Sequence, residues 1–297
     1  MEDGDWQRLI DQLSNGDCTP FLGAGACHGT LPSGADLSTT WAASCDYPFT
    51  DTFDLARVMQ YAAFTHGDAV YVKQLICREL ESAAPPDFSS PIEPHALLAG
   101  FPLPVFITTN YDDYLAKALE EAGKQPRVAL CPWSDHGVYD SELFDAVNEL
   151  DDDPDRPLVY HLHGSWSKPH SLVLTERDYL EFLVNVAAAK NNDDRRLVPG
   201  PVLTALTSRP LLFIGYSLRD LTFLVLFYGL LRDIPGIHRR RNVSVQLPPP
   251  TNGASAGAAE RAKNFMTSYF AEWNISIFWG SAAEFCAELR SRMGKTA

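Results

Sequence analysis

No apolar run in this chain reaches the roughly 18 residues needed to cross a bilayer. Its first residues, MEDGDWQRLIDQL, lack the basic start, apolar centre and small-residue cleavage site of a secretory signal. These two absences lead to the expectation of a soluble, cytoplasmic protein with no membrane contact. The six cysteines, at 18, 27, 45, 77, 131 and 286, form no Cys-x-x-Cys pair, which argues against a zinc ribbon or a disulfide framework and for reduced, mostly buried thiols. Positive charge is also scarce. Against 38 Asp and Glu stand 24 Lys and Arg, a net charge of −14, and such a chain does not hold a nucleic-acid backbone by itself. The one basic cluster, His238 to Arg241, reads as a solvated loop.

What is present is a sizeable apolar complement, 45% of 297 residues, arranged as short β-rich runs alternating with helical patterns. Buried strands are expected at Pro20 to Leu22, Val105 to Thr109, Leu158 to Leu162, Leu211 to Ile214, Val243 to Leu247 and Ile275 to Trp279. After most of them come apolar residues at helical spacing, such as Tyr114, Leu115, Ala118 and Leu119, or Leu221, Leu224, Val225 and Leu231. The chain closes with Phe285, Leu289 and Met293 on a last helix. This alternation predicts an α/β, Rossmann-like, doubly wound and mainly parallel sheet. Three stretches break the pattern: 51–83, with a helical stripe of Leu55, Val58, Met59 and Ala62; the polar, acidic 133–157; and 176–200, which starts as a helix through Tyr179, Leu180 and Leu183. The segment Asn191 to Arg196 reads as an exposed loop or a flap. The expected organisation is a single domain over 1–297 with helical insertions at about 45–95 and 166–200.

Ligands of open α/β sheets sit beyond the carboxyl ends of the strands, and here those ends are polar. Phe21 to Ala26, FLGAGA, is a strand followed by Gly-x-Gly, where missing side chains let backbone N–H groups approach a phosphate; an ordinary tight turn has the same appearance. The third glycine of a dehydrogenase fingerprint is absent, which disfavours hydride transfer. Thr108 to Asp113, TTNYDD, joins a strand to a helix, where Asn110 and Asp112 either cap the helix or face a ligand. Gly215 to Asp220, GYSLRD, repeats the strand–glycine–helix pattern, with Ser217 placed as a cap or a ribose contact. His161 to Ser165, HLHGS, carries two histidines; a strand ending near Leu162 leaves His163 at the sheet edge, and His161 reads as a histidine satisfied by a neighbour. A metal site at His161 and His163 lacks evident third and fourth ligands.

In that order and at those intervals the four motifs resemble the sirtuin family, and more closely the divergent bacterial sirtuin-like domains that act as NAD hydrolases in anti-phage defence. NISIFWGSAAEFCAELRSRM also resembles the last strand and helix of those domains. The resemblance implies that Gly23, Ala24, Gly25 and Ala26 meet the NAD pyrophosphate, that Asn110 and Asp112, with Thr109 beside them, surround the nicotinamide and its ribose, that His163 is the catalytic base, and that Gly215 and Ser217 flank the adenosine ribose. It implies NAD+ as substrate, no metal, a homo-oligomer and a regulatory or sensor protein partner. Two departures argue against protein deacylation: the paired Cys-x-x-Cys zinc module is missing, and Thr30 to Asp36 replaces the Gly-x-Pro-x-Phe-Arg segment. The leading expectation is an NAD+ glycohydrolase; its rivals are an NAD-dependent deacylase or ADP-ribosyl transferase, and a non-catalytic nucleotide sensor.

Overall fold

A computed structural model describes residues 1–134, 152–189, 198–218, 240–249 and 257–296, together with Val147 and Val225. Among these residues seven strands form one sheet: β1 (Thr19–Leu22), β2 (Val105–Thr108), β3 (Arg127–Leu130), β4 (Leu158–His161), β5 (Leu211–Ile214), β6 (Asn242–Gln246) and β7 (Ile275–Trp279). Their order is β3-β4-β2-β1-β5-β6-β7, and every pairing is parallel. This is the doubly wound α/β sheet that the alternation implies. The strand order turns back at β1, which lies between β2 and β5.

Strand alternation divides the side chains between two faces. Phe21, Val105, Ile107, Leu158, Tyr160 and Phe213 belong to one core, shared with Phe182 of α7 (Glu176–Ala189), Val202 of α8 (Gly200–Ser208) and Phe270 of α9 (Ala258–Ala271). Leu22, Phe106, Val159, Leu212 and Ile214 belong to the other. That second core is covered by α1 (Asp3–Ser14), α5 (Pro94–Ala99), α6 (Tyr114–Glu121) and α10 (Ala282–Thr296). Trp6 secures α1 there: its ring stacks on Phe285 at 5.4 Å and meets Phe278 edge-on at 5.7 Å.

Three helices, α2 (Gly34–Ser44), α3 (Leu55–His66) and α4 (Ala69–Glu81), form a further layer, of which α3 and α4 lie in the stretch 51–83. Its stripe is buried as read from spacing, with Val58, Met59 and Ala62 wholly covered. Ser33, Asp54 and Asp68 each cap a helix start. A third core of these helices reaches Tyr114, Trp166, Leu172 and Leu174, so the layer rests on the loops that follow β2 and β4.

One strand lies outside the sequence expectation. β3 is a half-exposed edge strand of four residues, Arg127 to Leu130, whose apolar run is short and begins on an exposed Val128. Helix α7 forms through Tyr179, Leu180 and Leu183 as expected. Residues 135–146 and 148–151 of the acidic stretch, the segment 190–197, His238 and Arg239 of the basic cluster and the helical pattern at 221–231 fall outside the described residues, Val225 excepted. Among the described residues no helix is long and apolar enough to cross a membrane.

Candidate functional site

The register of the sheet puts its strand ends in one row. Leu22 of β1 pairs with Ile214 of β5 and Thr108 of β2, Thr108 pairs with His161 of β4, and His161 pairs with Leu130 of β3. The residues that follow therefore emerge along a single edge: the glycine turn after β1, Thr109 and Asn110 after β2, Leu162 and His163 after β4, Gly215 after β5. Backbone hydrogen bonds knit these exits together, from Thr109 N–H to the Leu22 carbonyl at 3.0 Å and from Leu162 N–H to the Thr108 carbonyl at 2.8 Å.

The two glycine loops interlock. A single 3-10 turn, Ala24–Cys27, follows Gly23. Gly25 N–H donates to the Gly215 carbonyl at 2.9 Å, and Ala26 N–H to the Gly23 carbonyl at 2.8 Å. Gly215 has φ of +68°, and a Cβ there would lie 2.1 Å from the Ala26 nitrogen. A Cβ on Gly23 would lie 2.7 Å from the Gly215 oxygen. These glycines are thus demanded first by the approach of one loop to the other. Ala24 and Gly25 are exposed at the edge, as is Ser217, while Gly23 and Ala26 are buried.

Behind the turn lies a buried polar cluster. The Asn110 carboxamide donates through Nδ2 to Cys27 Sγ at 3.3 Å, and its backbone N–H donates to Thr108 Oγ1 at 3.0 Å. Cys27 donates its thiol proton to Asp112 Oδ2 at 3.3 Å. The other Asp112 oxygen accepts the Tyr114 N–H at 3.1 Å, so this residue caps α6 as well as serving the cluster. His95 Nε2 stands 3.9 Å from the same sulfur, and its Nδ1 is 2.6 Å from Glu93 Oε1. An ionised carboxylate only accepts, so Nδ1 carries the proton and Nε2 faces Cys27. Glu93 Oε2 meanwhile accepts the Ala96 N–H at 2.6 Å and caps α5. Burial works to raise the Glu93 pKa, but its hydrogen bonds from His95 and Ala96 prevail and hold it below the usual range. Burial pushes the Cys27 thiol well above its ordinary value, and the charge of Asp112 adds to this. Cys27 is therefore a protonated structural thiol, not a poised nucleophile.

His161 and His163 part company, as their spacing suggests. His161 is buried with Nδ1 3.0 Å from the Asn110 carbonyl oxygen, the satisfied histidine expected of it. His163 turns into an aromatic enclosure: Tyr179 meets its ring edge-on at 5.5 Å and Phe182 at 5.2 Å, both from α7. The ring is only 3% exposed, and its Nε2 has no hydrogen-bond partner among the described residues. Desolvation lowers its pKa to about 3. The strand end does release His163 over the sheet edge, but α7 covers it, which the sequence order of the segments does not reveal.

The residues read from sequence thus gather at one edge, with Asn110 and His163 each two positions beyond a paired strand residue. Their side chains are engaged differently: the carboxamide rests on Cys27, and the imidazole rests among the rings of α7. Sequence reasoning passed over Cys27, His95 and Glu93. Asn110 and Asp112 stood in a polar motif at a strand end, whereas His95 sits in a short apolar helix start 68 residues from its sulfur partner, with no local pattern to mark it.

A doubly wound parallel α/β protein with glycine turns, an Asn and a His along one carboxyl edge belongs among nucleotide-site folds. The family model for the SIR2-like domain matches residues 104–278, more than half of the chain, and the chain belongs to that family. The match covers β2 through β7 but not the glycine turn after β1. Among curated relatives, "NAD(+) hydrolase ThsA" from Acinetobacter baumannii (strain 532279) is 25% identical over 222 residues, covering 72% of this chain and 39% of the relative. The protein of that name from Enterococcus faecium is 24% identical over 226 residues, 72% of this chain and 40% of the relative. The one from Cytobacillus dafuensis is 30% identical over 128 residues, 43% of this chain and 22% of the relative. The chain spans about two-fifths or less of the length of these relatives.

Proposed function

We propose that this chain hydrolyses NAD+ at the bond between nicotinamide and ribose, releasing nicotinamide and ADP-ribose. The observation that supports the reading is the register of β2 and β4, which pairs Thr108 with His161 at the carboxyl edge of a SIR2-like sheet, so that Asn110 and His163 each follow two positions beyond a paired residue. The names borne by the similar proteins agree with it.

In the reaction, water forms the new bond to the ribose carbon as the bond to nicotinamide breaks, and the ring keeps the electron pair and leaves neutral. Positive charge spreads over the ribose at the transition state, so the site must orient the sugar and water and remove one proton. Asn110 provides the orientation, because its carboxamide stays neutral and can hold a water or a ribose hydroxyl once it leaves Cys27. His163 takes the proton through Nε2, which has no hydrogen-bond partner among the described residues. Asp112 exchanges the Cys27 thiol for the carboxamide N–H of nicotinamide, and Thr109 lines the neighbouring ribose. Gly23, Ala24, Gly25 and Ala26 face the pyrophosphate, with Gly215 and Ser217 toward the adenosine ribose. Because Gly23, Gly25 and Ala26 already spend their N–H groups internally, the exposed Ala24 is the part of the turn open to a phosphate.

The closed setting of His163 belongs to a resting form. Water reaches Nε2 only if Tyr179 and Phe182 shift, so activity requires a change at α7. That is the behaviour needed of an effector that depletes NAD+ in a bacterial defence response and is held inactive in the cytoplasm until a partner or self-assembly releases it. The test is release of nicotinamide and ADP-ribose by purified protein, with and without candidate partners and without acyl-lysine peptide. Asn110→Ala and His163→Ala should each lower the rate by about 100-fold or more. Variants near the wild-type rate would overturn the assignment, and turnover only with an acylated peptide would favour deacylation.

A further inference from the structure

Cys27, His95 and Asp112 have the composition of a three-ligand metal site, and we infer that they bind a borderline-soft divalent cation, zinc foremost, in a position that withdraws Asp112 from the nucleotide. The sulfur, an imidazole nitrogen and a carboxylate oxygen all lie within 4.8 Å of one another. The sulfur is 3.3 Å from Asp112 Oδ2 and 3.9 Å from His95 Nε2. A tetrahedral zinc with bonds of about 2.0–2.3 Å holds neighbouring ligand atoms about 3.3–3.8 Å apart. The three groups therefore stand close to ligating geometry before any ion arrives.

Three further features favour a cation here. Glu93 holds His95 through Nδ1 at 2.6 Å and aims Nε2 at the sulfur, the carboxylate–histidine arrangement that orients metal-binding imidazoles. Asn110 approaches the same sulfur at 3.3 Å, and rotation of its carboxamide presents an oxygen to a fourth coordination position. The donor set of one sulfur, one nitrogen and one oxygen suits zinc or cobalt and disfavours magnesium and calcium, which take oxygen ligands. All three ligands are buried, so solvent does not compete for an ion once it is seated. Entry is short, because Cys27 sits on a single 3-10 turn whose Ala24 and Gly25 are exposed. On binding, the thiol proton passes to solvent and the sulfur ligates as thiolate.

The consequence for catalysis rests on the NAD+ reading, since the metal occupies Asp112 and draws on Asn110; the metal site itself does not. Purified protein stripped with a chelator should be titrated with cobalt(II), following the thiolate-to-cobalt charge-transfer band in the near ultraviolet. We expect one ion per chain, a band abolished in Cys27→Ser, and affinity lowered about tenfold or more in Glu93→Gln, which preserves shape while weakening the hold on His95. Circular dichroism verifies that both variants fold. One equivalent of zinc should suppress nicotinamide release by the wild type, a chelator should restore it, and Cys27→Ser should keep its own metal-free rate in zinc. Absence of a saturable band, or an undiminished band in Cys27→Ser, overturns the site. Zinc-insensitive turnover alongside a saturating band overturns the withdrawal of Asp112. If no form releases nicotinamide even under the activating conditions of the hydrolysis test, the NAD+ reading fails while the cobalt titration still decides the metal site.

Discussion

His163 carries a thermodynamic signature separate from its chemistry. Burial lowers its pKa to about 3, whereas a histidine in an unfolded chain titrates near ~6.5. Between those values the unfolded chain holds a proton that the folded chain lacks. Stability therefore falls as the pH drops from ~6.5 toward 3, by up to about 1.4 kcal/mol per pH unit, and this group adds no pH dependence above ~6.5. Burial lowers His161 in the same direction, so part of the slope survives without His163. His163→Phe removes the titration and the unpartnered nitrogen while keeping a ring between Tyr179 and Phe182. Urea unfolding should show a flatter acid limb from about pH 4 to pH 7, and stability near neutrality unchanged or raised by about 1 kcal/mol. An unaltered acid limb would mean that the imidazole is hydrated. Asn110, Asp112 and His163 were legible because each stands in a polar motif just past an apolar strand. Cys27, His95 and Glu93 were not, because only the folding of α5 against the glycine turn brings them together.

The element that governs His163 is α7, and one buried ion pair fastens it. Lys73 of α4 lies 2.9 Å from Asp178 of α7, with both residues buried. The same carboxylate accepts the N–H groups of Leu174 at 3.0 Å and Thr175 at 2.8 Å. Removing it leaves a buried ammonium and two buried donors uncompensated. Asp178→Ala should cost about 3–5 kcal/mol in chemical denaturation, and hydrogen exchange should show the α7 amides opening before the sheet. A loss below about 1 kcal/mol would show that the helical layer and α7 are not coupled through this pair. At this scale the strands with continuous apolar runs were readable, and so were α3, α4 and α7 through their stripes. β3 was not, since its apolar run is as short as many that lie outside strands and its edge position leaves it half-exposed. The cover of α7 over His163 is a packing outcome that periodicity along one helix cannot express.

In the whole molecule, alternation of strands and helices was enough to imply a parallel doubly wound sheet, because parallel strands require crossovers and bury both faces. Strand order and register were not in the pattern, yet they align the ends of β5, β1, β2, β4 and β3 in one row, where the candidate residues gather. All six cysteines are free, five of them buried and Cys45 half-buried. The net charge of −14 works against an anionic nucleotide, so recognition falls to local amides and positioned side chains. Hydrolysis as proposed requires Asn110 and His163 to serve one sugar. A crystal structure of the protein with a non-hydrolysable NAD+ analogue tests this most directly. The nicotinamide-bearing ribose should lie between the Asn110 carboxamide and His163 Nε2, with Tyr179 and Phe182 displaced. An analogue bound elsewhere, or one that touches Asn110 while His163 stays enclosed by α7, would contradict it.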